Sequence, residues 1–116
     1  MIELSLPYPP SVNRIWRRRS GGGMYLANEY TDWIRRADAR FMEQKRGLEK
    51  IKGAFTAEIT IDRDHRRNSD LDNRLKTILD AAQRWGLIEN DRLAEKIVIE
   101  WGDASEGCKI VLREVT

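Results

Sequence analysis

The sequence predicts a single α/β domain of the α+β type, in which one mixed four-stranded sheet packs against two helices. Two observations support this prediction. The 116 residues suffice for one modest hydrophobic core and no second lobe, so we expect one domain over residues 1–116. Apolar residues follow strand and helix periodicities in the order β-α-β-α-β-β, and no repeat or linker interrupts them.

The first half of the chain predicts two strands and one helix. Apolar and polar residues alternate over residues 2–6, which indicates a short strand that ends at the following prolines. Helical spacing then predicts an amphipathic helix from a cap at Asn28 to a stop at Gly47. The clearest alternation covers residues 55–62 and predicts a half-buried strand.

The second half predicts a helix followed by two strands. The helical pattern begins at Asp70 and stops at Gly86, with one apolar face and with Asp72, Lys76 and Asp80 on the other. Alternating residues 97–101 and 108–115 predict two strands, and we expect them to pair as a hairpin across a long loop at 102–107.

Composition limits the class of protein. With 41% hydrophobic and 34% charged residues, the chain is neither disordered nor a membrane protein, and no apolar run approaches the roughly 20 residues of a spanning helix. The first ten residues lack the pattern of a secretory signal, and a lone Cys108 cannot form an internal disulfide. We therefore expect a reducing, cytoplasmic setting.

The modest net charge of +2 conceals an uneven distribution. Residues 1–58 carry a charge of +4, and the remainder carries −2. The basic residues of the first part include Arg14, Arg17, Arg18 and Arg19, which lie beside Trp16 and before three glycines. This stretch reads either as a flexible arm that contacts phosphates or as a solvated loop. A second basic cluster, Arg63, Arg66 and Arg67 with His65, directly precedes the densest group of acids and favours phosphate contact.

Acidic residues provide the candidate chemistry. Asp70 and Asp72 near a helix start have a simple structural explanation, because carboxylates there cap orphan N–H groups and complement the helix dipole. At about 100° per residue they diverge on a regular helix, so they can converge only if Asp70 precedes the helical turn. Asp91 follows the helix stop and supplies a third candidate ligand. Three hard oxygen ligands suit Mg²⁺, or Mn²⁺ in its place.

Lys76 lies one helical turn after Asp72 and has two interpretations. It forms a surface ion pair, or it neutralises charge that develops on a phosphodiester and helps position the attacking water.

Other kinds of site find little support in the sequence. The twelve-residue calcium loop is missing, and one cysteine and one histidine at distant positions cannot form a tetrahedral zinc site. His65 has no evident triad partner for Cys108 or Ser69, and Gly21–Gly23 lead to no phosphate-binding lysine. Zinc, calcium, covalent and nucleotide-driven chemistry are therefore disfavoured.

Three short motifs occur in a fixed order: the run Pro9-Pro10-Ser11-Val12-Asn13-Arg14, the run Asp70-Leu71-Asp72-Asn73 with Lys76, and Leu87-Ile88 leading to Asp91. Together they resemble the RusA family of Holliday junction resolvases. The resemblance spans essentially the whole chain, and the order and spacing of the motifs are more specific than each motif alone. Asp62 and Asp64 beside the basic loop, and the triple glycine, depart from a simple match.

The resemblance implies a small homodimeric, Mg²⁺-dependent endonuclease that cuts four-way DNA junctions by paired symmetric nicks in recombination and repair. By position, Asp70, Asp72 and Asp91 would be the metal-binding catalytic acids and Lys76 the catalytic residue of the helix. The expected DNA-binding residues are Asn13, Arg14, Arg17, Arg18, Arg19, Arg66, Arg67 and Asn73. A non-catalytic DNA-binding module, and a metal-dependent nuclease acting on flaps or RNA, remain the alternatives.

Overall fold

The structure, a computed structural model, describes residues 1–11, 16–18, 20–22, 24–26, 28–64 and 70–115, and of 16–18 and 24–26 the backbone. Its elements are β1 (Ile2–Pro7), β2 (Trp16–Arg18), β3 (Met24–Leu26), α1 (Asn28–Gln44), β4 (Phe55–Asp62), α2 (Leu75–Arg84), β5 (Ala94–Gly102) and β6 (Gly107–Glu114). Short 3₁₀ turns at Asp72–Arg74 and Asp91–Leu93 lead into α2 and β5.

The main sheet has the strand order β1-β6-β4-β5. β6 is antiparallel to both β1 and β4, whereas β5 runs parallel to β4. The prediction of one mixed four-stranded sheet with two helices is therefore confirmed.

One face of this sheet carries the hydrophobic core. Leu4, Ile110 and Ile59 lie in register across three strands, and all three are buried. Residues one position away point to the other face, where Glu58 and its register partner Val111 are less buried. Because a single face is buried, both helices cover the same side of the sheet.

The predicted hairpin between the last two strands is wrong. β5 and β6 follow each other along the chain, but β4 lies between them in the sheet. Burial explains the arrangement, because β6 alternates buried and less buried residues, whereas most residues of β5 are exposed. Glu95, Lys96 and Glu100 are charges of the kind that suit a strand at the sheet edge.

The basic arm contains more regular backbone than expected. β2 and β3 form a separate antiparallel pair in which Trp16 aligns with Leu26, Arg17 with Tyr25 and Arg18 with Met24. The observed order thus gains a hairpin before α1, and the expectation that the arginines and the three glycines form only a flexible arm is wrong in this respect. Between the two strands Gly22 has φ of 101°, a backbone conformation that glycine adopts without steric cost.

Aromatic contacts fix the helices to the rest of the domain. The indole Nε1 of Trp33 in α1 donates to the carbonyl oxygen of Pro7 at 2.9 Å. The rings of Phe41 and Trp85 stack with centroids 4.5 Å apart, which ties α1 to the residue that follows α2. These contacts hold both helices in one rigid unit with β1.

Among the described residues, no helix is both long and apolar enough to cross a bilayer.

Candidate functional site

The first two acids of the motif lie on the turn that leads into α2. Asp70 lies two residues before the 3₁₀ turn, and Asp72 is the first residue of this turn, which continues into α2 at Leu75. The condition for convergence of the two carboxylates, that Asp70 stands before the helical turn, is therefore met. Both residues are exposed, and Asn73 Nδ2 donates to Asp70 Oδ2 at 3.3 Å.

Neither acid acts as a helix cap. The N-cap positions are Leu71 for the 3₁₀ turn and Arg74 for α2, and neither makes a side-chain capping bond. The sequence predicts a helix start at Asp70, whereas α2 begins five residues later at Leu75. The tighter 3₁₀ turn at Asp72–Arg74 precedes the α-helix. Capping alone does not account for Asp70 and Asp72.

The start of α2 is anchored to the segment that follows β1. Arg74 is only 6% exposed, and its Nη1 donates to the carbonyl oxygen of Pro9 at 2.8 Å. Its guanidinium carbon lies 4.9 Å from the ring centroid of Tyr8, and Thr77 Oγ1 donates to the carbonyl oxygen of Pro10 at 3.3 Å. The proline-rich motif and the acidic motif are therefore neighbours in space, although more than 60 residues separate them.

Lys76 brings the third acid to the same helix. Its Nζ lies 2.8 Å from Asp91 Oδ2 and 2.8 Å from Asp80 Oδ1. Hydrogen bonds to Asp80 and then to Asp91 raise the pKa of Lys76 above its ordinary value. The amine therefore stays protonated at neutral pH and behaves as a cation and hydrogen-bond donor.

The turn at Asp91 is held by its backbone as well as by its side chain. The backbone N–H of Asp91 donates to Gln83 Oε1 at 3.1 Å, and Asn90 Oδ1 accepts from the backbone N–H of Arg92 at 2.9 Å. Gln83 and Lys76 are seven positions apart, so both project from one face of α2 toward this turn.

Gln83 was not predicted from the sequence, and Asp80 was predicted on the polar face of α2 with Lys76 but without a role. Asp80 falls outside the motif, yet it shares the Lys76 ammonium with Asp91. Spacing was the available signal, since positions 76, 80 and 83 recur at helical intervals on one face. That signal identifies a face of α2 but not the element that packs opposite it.

The donor set fits a hard divalent cation by its chemistry. Asp70, Asp72 and Asp91 offer carboxylate oxygens, the ligands that Mg²⁺ prefers. In the described part of the chain, no three His, Cys, Asp or Glu side chains stand in an arrangement that could already hold a metal. One oxygen of Asp91 is instead bonded to Lys76.

The structure describes few of the predicted DNA-binding residues. Arg17 and Arg18 belong to β2, of which the structure describes the backbone, and Asn73 lies on the turn before α2. Asn13, Arg14, Arg19, Arg66 and Arg67, together with His65, fall outside the described residues.

Cys108 has no place in the chemistry. The residue is 1% exposed, and burial raises the pKa of its thiol to about 12. A thiol in that state is not a nucleophile at neutral pH.

Comparison with known proteins identifies the family. Residues 7–113 match the model of the family described as Endodeoxyribonuclease RusA. The Crossover junction endodeoxyribonuclease RusA of Aquifex aeolicus (strain VF5) is 36% identical over 95 residues, which cover 79% of this chain and 73% of the relative. The protein of the same name from Enterobacteria phage HK97 is 30% identical over 111 residues, which cover 96% of this chain and 91% of the relative. The chain therefore belongs to the RusA family of endodeoxyribonucleases.

Proposed function

We propose that this protein resolves four-way DNA junctions by paired symmetric nicks in a Mg²⁺-dependent reaction that serves recombination and repair. The contact between Lys76 and Asp91 carries the proposal on the structural side, because it joins the acid before β5 to the helix that follows Asp70 and Asp72. The junction is proposed as the substrate because the relatives are named crossover junction endodeoxyribonucleases.

The three carboxylates and Lys76 divide the chemistry between them. Asp70, Asp72 and Asp91 would hold the cation, and Mg²⁺ there would activate the attacking water and stabilise the charged phosphate during displacement. The Lys76 ammonium, which its carboxylate partners keep protonated, would donate to phosphate oxygens as their negative charge grows. Anchoring of the turn by Arg74 limits the freedom of the carboxylates before DNA arrives.

Paired nicks require two sites, and each chain supplies one. A homodimer with two-fold symmetry would match the two-fold symmetry of a junction. β5 offers an edge for pairing with a second copy, because its described neighbour in the sheet is β4 alone. At the opposite edge, on β1, the side chain of Gln44 already bonds to both backbone groups of Ser5.

The sequence of β5 also suits pairing with itself. Antiparallel pairing centred on Val98 would place Lys96 opposite Glu100 of the second copy on both sides of the axis. Ile97 and Val98 are each 38% exposed, so this edge presents apolar side chains as well as backbone groups.

A substrate panel tests the proposed activity. Four-way junction, linear duplex, flap and RNA substrates of equal sequence would be incubated with the protein in Mg²⁺ or in chelator. We expect nicks at symmetric positions of the junction in Mg²⁺ and no cleavage in chelator. Junction binding without cleavage would indicate a DNA-binding module instead, and preferred cleavage of flaps or RNA would replace the junction as the substrate.

A further inference from the structure

Two carboxylates share one ammonium group at the proposed site. Lys76 Nζ contacts Asp80 on its own helix and Asp91 on the turn before β5, both at 2.8 Å. The Asp91 side chain is 25% exposed and the Asp80 side chain 37%, whereas the Lys76 side chain is 55% exposed.

Helix stabilisation does not account for Asp80. A lysine followed four residues later by an acid has the less favourable orientation for an i,i+4 pair, and such pairs contribute only a few tenths of a kcal/mol. Burial and then the charge of Asp80 raise the pKa of the half-buried Tyr30 of α1. Through Lys76, the Asp80 carboxylate is linked to the Asp91 turn.

Cation binding at Asp91 would conflict with the Lys76 contact. A divalent ion and an ammonium group that share one carboxylate repel each other, so Lys76 must give up part of its bond to Asp91 when the ion binds. Because the Lys76 side chain is 55% exposed, water can replace a lost carboxylate, but a second carboxylate keeps the ammonium in a defined place through a charge-assisted hydrogen bond.

We propose that Asp80 is a positioning residue that holds Lys76 beside the site while Asp91 engages a divalent cation. Gln83 complements it, because its bond to the backbone N–H of Asp91 keeps the turn in place when the side-chain contact opens. The inference rests on the proposed function for the assignment of Asp91 as a ligand, and it names a role for a residue outside the acidic motif.

Binding of Mn²⁺ to the full chain without DNA tests this role. The affinity would be measured by electron paramagnetic resonance for the wild type, Asp80→Asn, Lys76→Met and the double variant, with thermal unfolding of each to verify the fold. We expect Asp80→Asn to weaken Mn²⁺ binding by about two- to fivefold, the range that one partly exposed ion pair provides. We expect Asp80→Asn to have no further effect in the Lys76→Met background, because the ammonium it positions is gone.

Two variants serve as controls. Glu43→Gln removes a carboxylate that pairs with Arg40 on the surface of α1 at 2.8 Å, and Mn²⁺ affinity should not change. Asp80→Glu keeps the carboxylate and should recover most of the wild-type affinity.

Each outcome decides the inference. Equal affinity of Asp80→Asn and wild type overturns it, and so does an equal loss in the Lys76→Met background, which would mark a direct or purely electrostatic effect of Asp80. A wild-type chain that does not bind Mn²⁺ overturns the inference together with the metal site. If the expected pattern appears but no junction is cleaved, the proposed function fails and the role of Asp80 stands.

Discussion

Arg74 and Pro9 join the two ends of the proposed site through one hydrogen bond from the buried guanidinium to a backbone carbonyl, 2.8 Å long. Pro9 leads into the amino-terminal motif, and Arg74 closes the turn that begins at Asp72. A buried donor and a buried acceptor that satisfy each other hold these segments in a defined relation.

Replacement of Arg74 by Met should lower the free energy of unfolding by about 1–3 kcal/mol, because the carbonyl of Pro9 loses its donor inside the protein. Arg113→Met is the matched control, since that arginine makes an exposed pair with Glu58 at 2.8 Å and should cost less than about 1 kcal/mol. Urea unfolding measures both values. Equal stability of the two variants would contradict the anchoring role of Arg74.

Much of the fold could be predicted from the sequence because local periodicity reports burial. Alternation over 2–6 and 55–62 appears as β1 and β4, and the helical patterns appear as α1 and α2. Strand pairing was not available from the same signal. Periodicity says which residues of β5 and β6 share a face, but which of the two strands takes the inner position between β1 and β4 depends on the burial of the whole strand.

The site shows the same division between local and long-range signals. The motif identified Asp70, Asp72, Lys76 and Asp91 as candidates, and the structure brings Lys76 and Asp91 into contact. The i,i+4 spacing indicates the pair of Lys76 and Asp80 but not that Asp91 shares the ammonium. Gln83 could not be recognised, because its partner is the backbone N–H of Asp91 on the following turn.

Burial of Cys108 predicts a loss of stability at alkaline pH. The pKa of its thiol is raised from 9.0 to about 12, so the unfolded chain releases this proton first as pH rises. The corresponding stability is fully present below pH 9 and is lost between pH 9 and 12. In urea titrations, Cys108→Ala should flatten the decline over this interval. A decline as steep as that of the wild type would contradict the assignment.

Phosphate contact by the basic segments predicts a change in salt dependence. Neutralisation of one of Arg17, Arg18, Arg19, Arg66 or Arg67 should weaken junction binding at all sequences and reduce the slope of log affinity against log salt by roughly one unit. Fluorescence anisotropy across a salt series measures both effects. An unchanged affinity after all five are replaced would assign them to the solvated surface.

The dimer proposal predicts that the edge of β5 controls assembly. Light scattering of the wild type should give twice the 13.5 kDa mass of the chain at micromolar concentration. Val98→Asp would place two like charges together at the axis of the proposed pairing and should yield monomers. Val111→Asp, on the same face of the sheet but away from this edge, should remain a dimer. A wild-type monomer, with or without junction DNA, would contradict the dimer, and a dimeric Val98→Asp variant would exclude this edge.

Asp72→Asn separates the catalytic role of the carboxylate from its effect on the helix. The amide keeps the size of the side chain but removes the charge that would hold Mg²⁺, so junction cleavage should fall by at least about a hundredfold while folding survives. Junction binding without metal should persist or tighten, because one negative charge near the DNA is gone.

If Asp72 only complements the helix dipole, stability should fall by about 0.3–1 kcal/mol and cleavage should remain. Glu43→Gln is the control, because its side chain is 65% exposed and pairs with Arg40 on α1, whereas Asp80 contacts Lys76 and Asp103 contacts Arg63 of the basic cluster. Full-rate cleavage by Asp72→Asn across a Mg²⁺ titration would refute the catalytic assignment, and equal losses in both variants would indicate general electrostatics. Asp70→Asn and Asp91→Asn should behave as Asp72→Asn does, and Asp91→Asn should also leave Lys76 with Asp80 as its sole carboxylate partner among the described residues.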